Sequence, residues 1–197
     1  MKLLEITRNP KIYAFVQLFA GGKEKNFTTI RDHMNLRPGE TVLDVGCGTG
    51  EAAQYFPQGY TGIDPSEEYL EFARQKHGDK FSKFNGEKID FPYEFFNYVF
   101  IANVFHHISD EVANKLMNEM KRVCKKGGRV YIADPIWPTN KWNIIGTAIF
   151  ALDLGKFQRS ARELTALALT NGFKVLTEKI PDTFPHHYMV FYYQKPA

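Results

Sequence analysis

Apolar residues fall into two alternating rhythms along this chain. Short strands are read at 41–45, 60–63, 81–84, 98–102 and 128–133, and 98–102 is a nearly continuous apolar run, the pattern of a strand covered on both faces. Between them, apolar positions recur at helical spacing. Val112, Leu116, Met117 and Met120 predict a helix over 111–123, capped by Asp110. Ser66 caps a second helix reaching about residue 76, with Glu67 and Glu68 in the first turn, where acids suit the helix dipole. A brief helix after the first strand ends near Phe56-Pro57. Residues 10–35 predict two short helices: Pro10 opens the first, Tyr13, Phe15, Val16 and Phe19 line its apolar surface, and Gly21-Gly22 interrupts the pattern. Beyond the fifth strand come helices at 141–153 and 159–169, the latter ended by Asn171-Gly172. Two final strands follow at 173–179 and 188–193. Strands alternating with helices predict an α/β fold, a parallel sheet with helices on both faces.

The first strand runs into Val42-Leu43-Asp44-Val45-Gly46-Cys47-Gly48-Thr49-Gly50. An apolar strand that ends in an acid and a glycine-rich turn is the opening of a nucleotide-binding sheet. Glycine there lets the backbone approach a ligand where a Cβ would collide. Asp64 closes the second strand, placed to accept hydrogen bonds from both hydroxyls of a ribose. A dinucleotide fingerprint requires Gly-x-Gly-x-x-Gly; here the third glycine comes one residue early and Glu51 takes its place, a like charge for a pyrophosphate. Asp44 suits a cationic amine better than a phosphate. A nucleoside with a charged amino-acid tail, S-adenosyl-L-methionine, fits these residues.

At this point the sequence resembles the class I S-adenosylmethionine-dependent methyltransferases of the small-molecule, type 11 kind. Their first motif reads much like Val42 to Gly50. Gly62-Ile63-Asp64-Pro65-Ser66 resembles their ribose-binding loop, and Asn85-Gly86-Glu87 the loop beside the adenine. Phe96-Asn97-Tyr98-Val99 resembles their fourth strand, Ala102-Asn103-Val104-Phe105-His106-His107 the loop where the methyl group is presented, and Gly127-Gly128-Arg129-Val130 the turn into the fifth strand. Asn97 replaces the usual acid, Lys126 stands where proline is common, and Glu87 stands where the family often has Asp. The resemblance implies a Rossmann-like three-layer α/β/α sandwich, with a mostly parallel seven-stranded sheet and an antiparallel last strand between its neighbours. It also implies a cofactor set of Asp44, Gly46, Cys47, Gly48, Asp64, Pro65, Asn85, Gly86, Glu87 and Asn103, with S-adenosyl-L-homocysteine as product.

At 197 residues, with no linker, repeat or low-complexity tract, the chain reads as one domain, 1–197, with an N-terminal helical cap over 1–36 and a lid-like insertion over 135–160. A net charge of +3 without a basic face gives no nucleic-acid footprint. Two cysteines exclude a disulfide framework and a cysteine-rich zinc site, and a reducing cytoplasm is the expected compartment. The longest apolar run, 144–152, is too short for stable membrane insertion and suits a lid over a pocket. Oligomeric state is not readable.

Methyl transfer from a sulfonium is an in-line displacement, so the protein contributes positioning and, for some acceptors, proton removal. His106 and His107 follow the fourth strand and are the candidate bases; the alternative is that one of them packs on the sheet. Tyr13, Asp153, Arg159 and His187 are candidate acceptor contacts, Arg159 through forked bonds to a carboxylate or phosphate. Paired histidines without carboxylate spacing give no metal motif, so no metal is expected. The expected activity is methylation of a small-molecule acceptor, without nucleic acid. Rivals are an S-adenosylmethionine-binding protein catalysing another reaction, a non-catalytic partner-binding module, and a nicotinamide dehydrogenase, which the early third glycine disfavours.

Overall fold

The computed structural model describes residues 23–56, 58–136, 156–177 and 187–197. The first predicted helix, the 141–153 helix, Tyr13 and Asp153 lie outside the described residues. In chain order the elements are α1 (Lys23–Met34), β1 (Val42–Val45), a 3-10 turn (Glu51–Tyr55), β2 (Tyr60–Asp64), α2 (Glu67–His77), β3 (Phe81–Lys83), β4 (Phe96–Ala102), a second 3-10 turn (Phe105–His107), α3 (Asp110–Val123), β5 (Cys124–Ile136), α4 (Ala161–Thr170), β6 (Lys174–Thr177) and β7 (His187–Gln194).

The strands form one sheet in the order β3-β2-β1-β4-β5-β7-β6. β1 pairs in parallel with β2 and β4, and β7 lies antiparallel between β5 and β6. The chain moves outward from β1 to β3, then returns to the other side of β1 as β4. That reversal opens a crevice at the carboxyl ends of β1 and β4, where open α/β sheets take ligands.

Side chains alternate across the sheet and divide the core in two. Val42, Phe100, Tyr131 and Val190 pack with Phe27, Ile30 and Met34 of α1. Leu43, Val99, Ile132 and Phe191 pack with Leu116 and Met120 of α3 and Leu164 of α4. Each such side chain, once fully buried, contributes about 1.5–3 kcal/mol. Asn97, which departs from the family's acid, braces this frame: its Oδ1 accepts from the Thr41 amide, the Thr41 hydroxyl and Lys125 Nζ, each at 3.1 Å.

Three boundaries differ from the sequence expectation. Ser109, not Asp110, caps α3, because its hydroxyl accepts from the Val112 amide while Asp110 begins the helix. The 159–169 helix starts at Ala161 behind a capping box in which Ser160 and Glu163 satisfy each other's backbone amides. The fifth strand begins at Cys124, four residues before the apolar run at 128–133. Its pairing with β4 jumps from Phe96↔Cys124 to Tyr98↔Arg129, so polar residues are carried in an irregularity around Gly127, whose φ is +71°.

Candidate functional site

Turning sharply off β1 requires backbone that most residues resist. Gly46, Gly48 and Gly50 have φ of +74°, +53° and +78°. The amides of Gly46 and Cys47 both donate to the Ile63 carbonyl, at 2.7 and 3.0 Å, tying the loop to the end of β2. A Cβ on Gly46 would lie 2.6 Å from Val104 Cγ2. Its glycine is therefore required by packing within the chain as well as by φ, a reason beyond the approach of a ligand.

Asp44 and Asp64 flank this loop, and both are buried. Asp44 Oδ2 accepts the Tyr60 hydroxyl at 2.6 Å. Burial, followed by the Asp44 charge, pushes the Tyr60 phenol well above its ordinary value, so it stays protonated and donating. Asp64 Oδ2 accepts from the Gly48 amide and Oδ1 from the Ser66 amide, both at 2.9 Å. Burial raises the Asp64 pKa while the two amide bonds oppose the rise. An ionised carboxylate has about four acceptor directions, so each Asp64 oxygen retains capacity for a further donor. The Cys47 thiol is pushed well above its normal range by burial first, then by the Asp44 and Asp64 charges.

Asp44, Gly46, Cys47, Gly48 and Asn103 line one cleft, with Phe27 of α1 on its wall. Asn103 holds φ +59°, a left-handed conformation that Asn tolerates better than most residues, and its amide donates to Ala133 O at 2.9 Å. Asp64 reaches the cleft through its bond to Gly48. Asn85, Gly86 and Glu87 stand apart from it, after β3. Asn85 Oδ1 accepts the amides of Glu87 and Lys88, at 3.0 and 2.9 Å, in a turn eased by Gly86 at φ +87°. Pro65 is exposed beside Asp64.

The two adjacent histidines occupy different environments. His106 is 4% exposed, and its Nδ1 lies 3.2 Å from both oxygens of Asp134. Asp134 Oδ1 also accepts the Phe105 amide at 3.1 Å. Alternation along β5 sets Asp134 on the α3–α4 side with Ile132, whereas Ala133 faces the α1 side. His106 is thus pinned on the face opposite Phe27. His107 is exposed, its ring 4.0 Å from that of His106.

Arg159 requires a correction. The sequence assigns it to an acceptor, but the guanidinium is buried and its five N–H donors turn inward. Nε and Nη2 donate to Asp110 Oδ1, Nη2 also to Ile108 O at 2.9 Å, and Nη1 to Phe105 O and Phe157 O. The Phe157 amide returns a bond to His106 O at 3.0 Å. Arg159 therefore clamps residues 105–110 rather than presenting a free fork. His187 opens β7 opposite Ile136, and only its backbone is among the described residues.

Tyr60, Asp134 and Phe27 are absent from the sequence-based site. Asp134 carries a usable signal: like Asp44 and Asp64, it is an acid at the end of an apolar strand. Phe27 carries none, because its place depends on how α1 lies on the sheet. Among the described residues, no three His, Cys, Asp or Glu side chains gather as a metal site, and no helix is long and apolar enough to cross a membrane.

The crevice at the strand reversal, the left-handed glycine loop and an acid closing each of β1 and β2 define a nucleotide-binding α/β enzyme. The family model described as a methyltransferase domain matches residues 43–132. An uncharacterized methyltransferase of Geobacillus sp. (strain WCH70) is 32% identical over 164 residues, covering 76% of this chain and 77% of that protein. The demethylmenaquinone methyltransferase of Listeria monocytogenes serotype 4a (strain HCC23) is 30% identical over 162 residues, 68% of each chain. A crystal structure of a SAM-dependent methyltransferase from Aquifex aeolicus superposes with a TM-score of 0.64 at 22% identity, over 84% of this chain and 87% of that one. The chain belongs to the class I S-adenosylmethionine-dependent methyltransferases.

Proposed function

We propose that the chain methylates a small-molecule acceptor at the carboxyl edge of β4, drawing the methyl group from S-adenosyl-L-methionine. The observation that carries this reading is the single cleft uniting Asp44, Gly46, Gly48 and Asn103, with Asp64 bonded to the loop at Gly48. The residues present fit the cofactor. Asp44 is a buried carboxylate able to pair with an ammonium group, and Asp64 retains acceptor capacity for a diol. The buried carboxylates of Asp44 and Asp64 beside the loop favour a cation over a phosphate. When bound, the cofactor supplies an electrophilic methyl group on a positively charged sulfur.

The chain's own work is then to bind, orient and exclude water. Asp44 is held by the Tyr60 hydroxyl, the glycine loop by Ile63 O, and the turn after β4 by Asp134 and Arg159. His107, exposed at that turn, is the candidate to receive a proton from an acceptor; His106 sets the turn's shape through Asp134. The relative named for demethylmenaquinone supports a small organic acceptor. The aromatic residues Trp137, Trp142, Phe150 and Phe157 in and beside the 135–160 segment favour an apolar or ring-bearing one.

The test is calorimetric titration of ligand-free protein with S-adenosylmethionine, S-adenosylhomocysteine and NADH. Micromolar binding of the first two without the third supports the reading and leads to an acceptor screen by S-adenosylhomocysteine release. Failure of both sulfur nucleosides to bind refutes it.

A further inference from the structure

Asp44 and Tyr60 meet across two neighbouring strands. In the parallel pairing of β1 with β2, Asp44 lies opposite Gly62, and Val42 lies opposite Tyr60. Glycine has no side chain with which to bond Asp44. The donor comes instead from two residues back along β2, about 7 Å along the strand, a span that a tyrosine side chain covers. The Tyr60 hydroxyl reaches Asp44 Oδ2 at 2.6 Å, a length usual for a hydroxyl on a carboxylate.

The tyrosine ring is held on two sides. Phe56 stacks on it with centroids 6.3 Å apart and planes at 21°, and Phe81 meets it edge-on at 5.8 Å. Tyr60 is 5% exposed and Asp44 3%. Asp44 lines the cofactor cleft, and Tyr60 stands behind it on β2. Asp64, the residue for the ribose, is held by the Gly48 and Ser66 amides and not by this hydroxyl.

A carboxylate draws in a cation only while it is charged and correctly turned, yet burial penalises the charge. An arginine or lysine behind Asp44 would relieve that penalty but also cancel the charge. A phenol relieves it with a hydrogen bond and leaves the negative charge to act toward the cleft. We infer that Tyr60 is a positioning residue for cofactor binding: through Asp44 it gives the site its preference for nucleosides with an ammonium-bearing tail over nucleosides without one. The inference rests on the methyltransferase reading above. It concerns the tail end of the ligand alone, because the ribose end is held by Asp64 and its own amides.

The test compares S-adenosylhomocysteine with 5′-methylthioadenosine, which keeps the adenosine and the sulfur but lacks the ammonium and carboxylate. Both are titrated by calorimetry into wild type, Tyr60→Phe, Asp44→Asn and the double variant. Tyr60→Phe is expected to weaken S-adenosylhomocysteine about tenfold, the effect of one hydrogen bond to a charged group, and to leave 5′-methylthioadenosine within about twofold of wild type. General damage to packing around β2 would weaken both ligands alike. In the Asp44→Asn background the hydroxyl has no charge left to hold, so adding Tyr60→Phe is expected to change S-adenosylhomocysteine affinity by less than about twofold. These two variants carry no buried carboxylate at position 44, and they keep the test decisive if Tyr60→Phe alone fails to fold. Unchanged S-adenosylhomocysteine affinity in Tyr60→Phe, an equal loss for both ligands, or a further drop in the double variant overturns the inference. Wild type that binds neither ligand refutes the proposed function, whereas wild type that binds both ligands equally refutes only the assignment of Tyr60.

Discussion

Replacing Arg159 with alanine isolates what the clamp on residues 105–110 contributes. The change removes donors from three carbonyls. The Phe105 carbonyl keeps the Ile108 amide at 3.2 Å but loses its charged donor in a buried place, which costs about 0.5–1.5 kcal/mol. Ile108 and Phe157 are partly or wholly exposed and water repairs them in part, so each loses about 0.5–1 kcal/mol. The ion pair with Asp110 adds little, about 0–1 kcal/mol, because the Asp110 side chain is 70% exposed. The total is about 3 kcal/mol, which for a chain of this size lowers Tm by about 6–12 °C. Arg159→Lys keeps the charge but cannot form the fork, so it recovers less than half of the loss. Urea denaturation of the three proteins, followed by circular dichroism, measures this directly. A loss under about 1 kcal/mol for Arg159→Ala refutes the clamp. If that stable variant also failed to turn over, Arg159 would return to the acceptor role suggested by its sequence context.

Three further outcomes follow from the same geometry. Gly46→Ala is expected to destabilise by about 2–4 kcal/mol, from a left-handed φ together with overlap on Val104; adding Val104→Ala should restore only the overlap part, and full rescue in a thermal melt would contradict the φ contribution. Cofactor affinity should fall on acidification from above the ordinary carboxylate range, because Asp64 has a raised pKa and its protonated form loses acceptor capacity; Asp64→Asn should flatten that pH dependence in calorimetry. The ligand-free fold runs the other way, since a raised carboxyl pKa favours folding at acid pH and that contribution is lost as pH rises through the folded value. His106→Ala should lower stability by leaving Asp134 buried with fewer partners, whereas exposed His107→Ala should lower the melt less than His106→Ala and reduce turnover once an acceptor is in hand.

Much of the frame was legible because it rests on local chemistry. Apolar runs marked β1, β2 and β4, and Ser66 with its two acids marked α2, since a cap and a buried strand depend mainly on near neighbours. The start of β5 was not legible: Cys124 to Gly128 reads as a polar turn, and only pairing with β4 draws it into the sheet. Ser109 and Asp110 are equally good caps by residue type, so only the fold shows the Ser109 hydroxyl taking the Val112 amide while Asp110 begins the helix, and Ser160 heading a capping box with Glu163. At the site, the glycine loop and its two acids lie within one βαβ unit, so spacing exposes them. The Tyr60–Asp44 bond, the His106–Asp134 pair and the inward fork of Arg159 join elements on separate strands and turns. Residue type alone makes Arg159 look like an anion binder; what it touches makes it a brace.

Cys47 gives the glycine loop a chemical clock. Its thiol is mostly buried at the cleft wall and held protonated by burial and the Asp44 and Asp64 charges, so it reacts slowly with electrophiles until the loop lifts away. Cys124, the other thiol, is pushed up to about 12 and sits in the core, so it reacts on the slower timescale of wider unfolding. Time-resolved labelling with an aromatic disulfide would therefore separate two openings in a single unmodified protein, the fast one reporting how often the loop leaves β2. Anything that seats in the cleft would stop that clock and leave the slower one running.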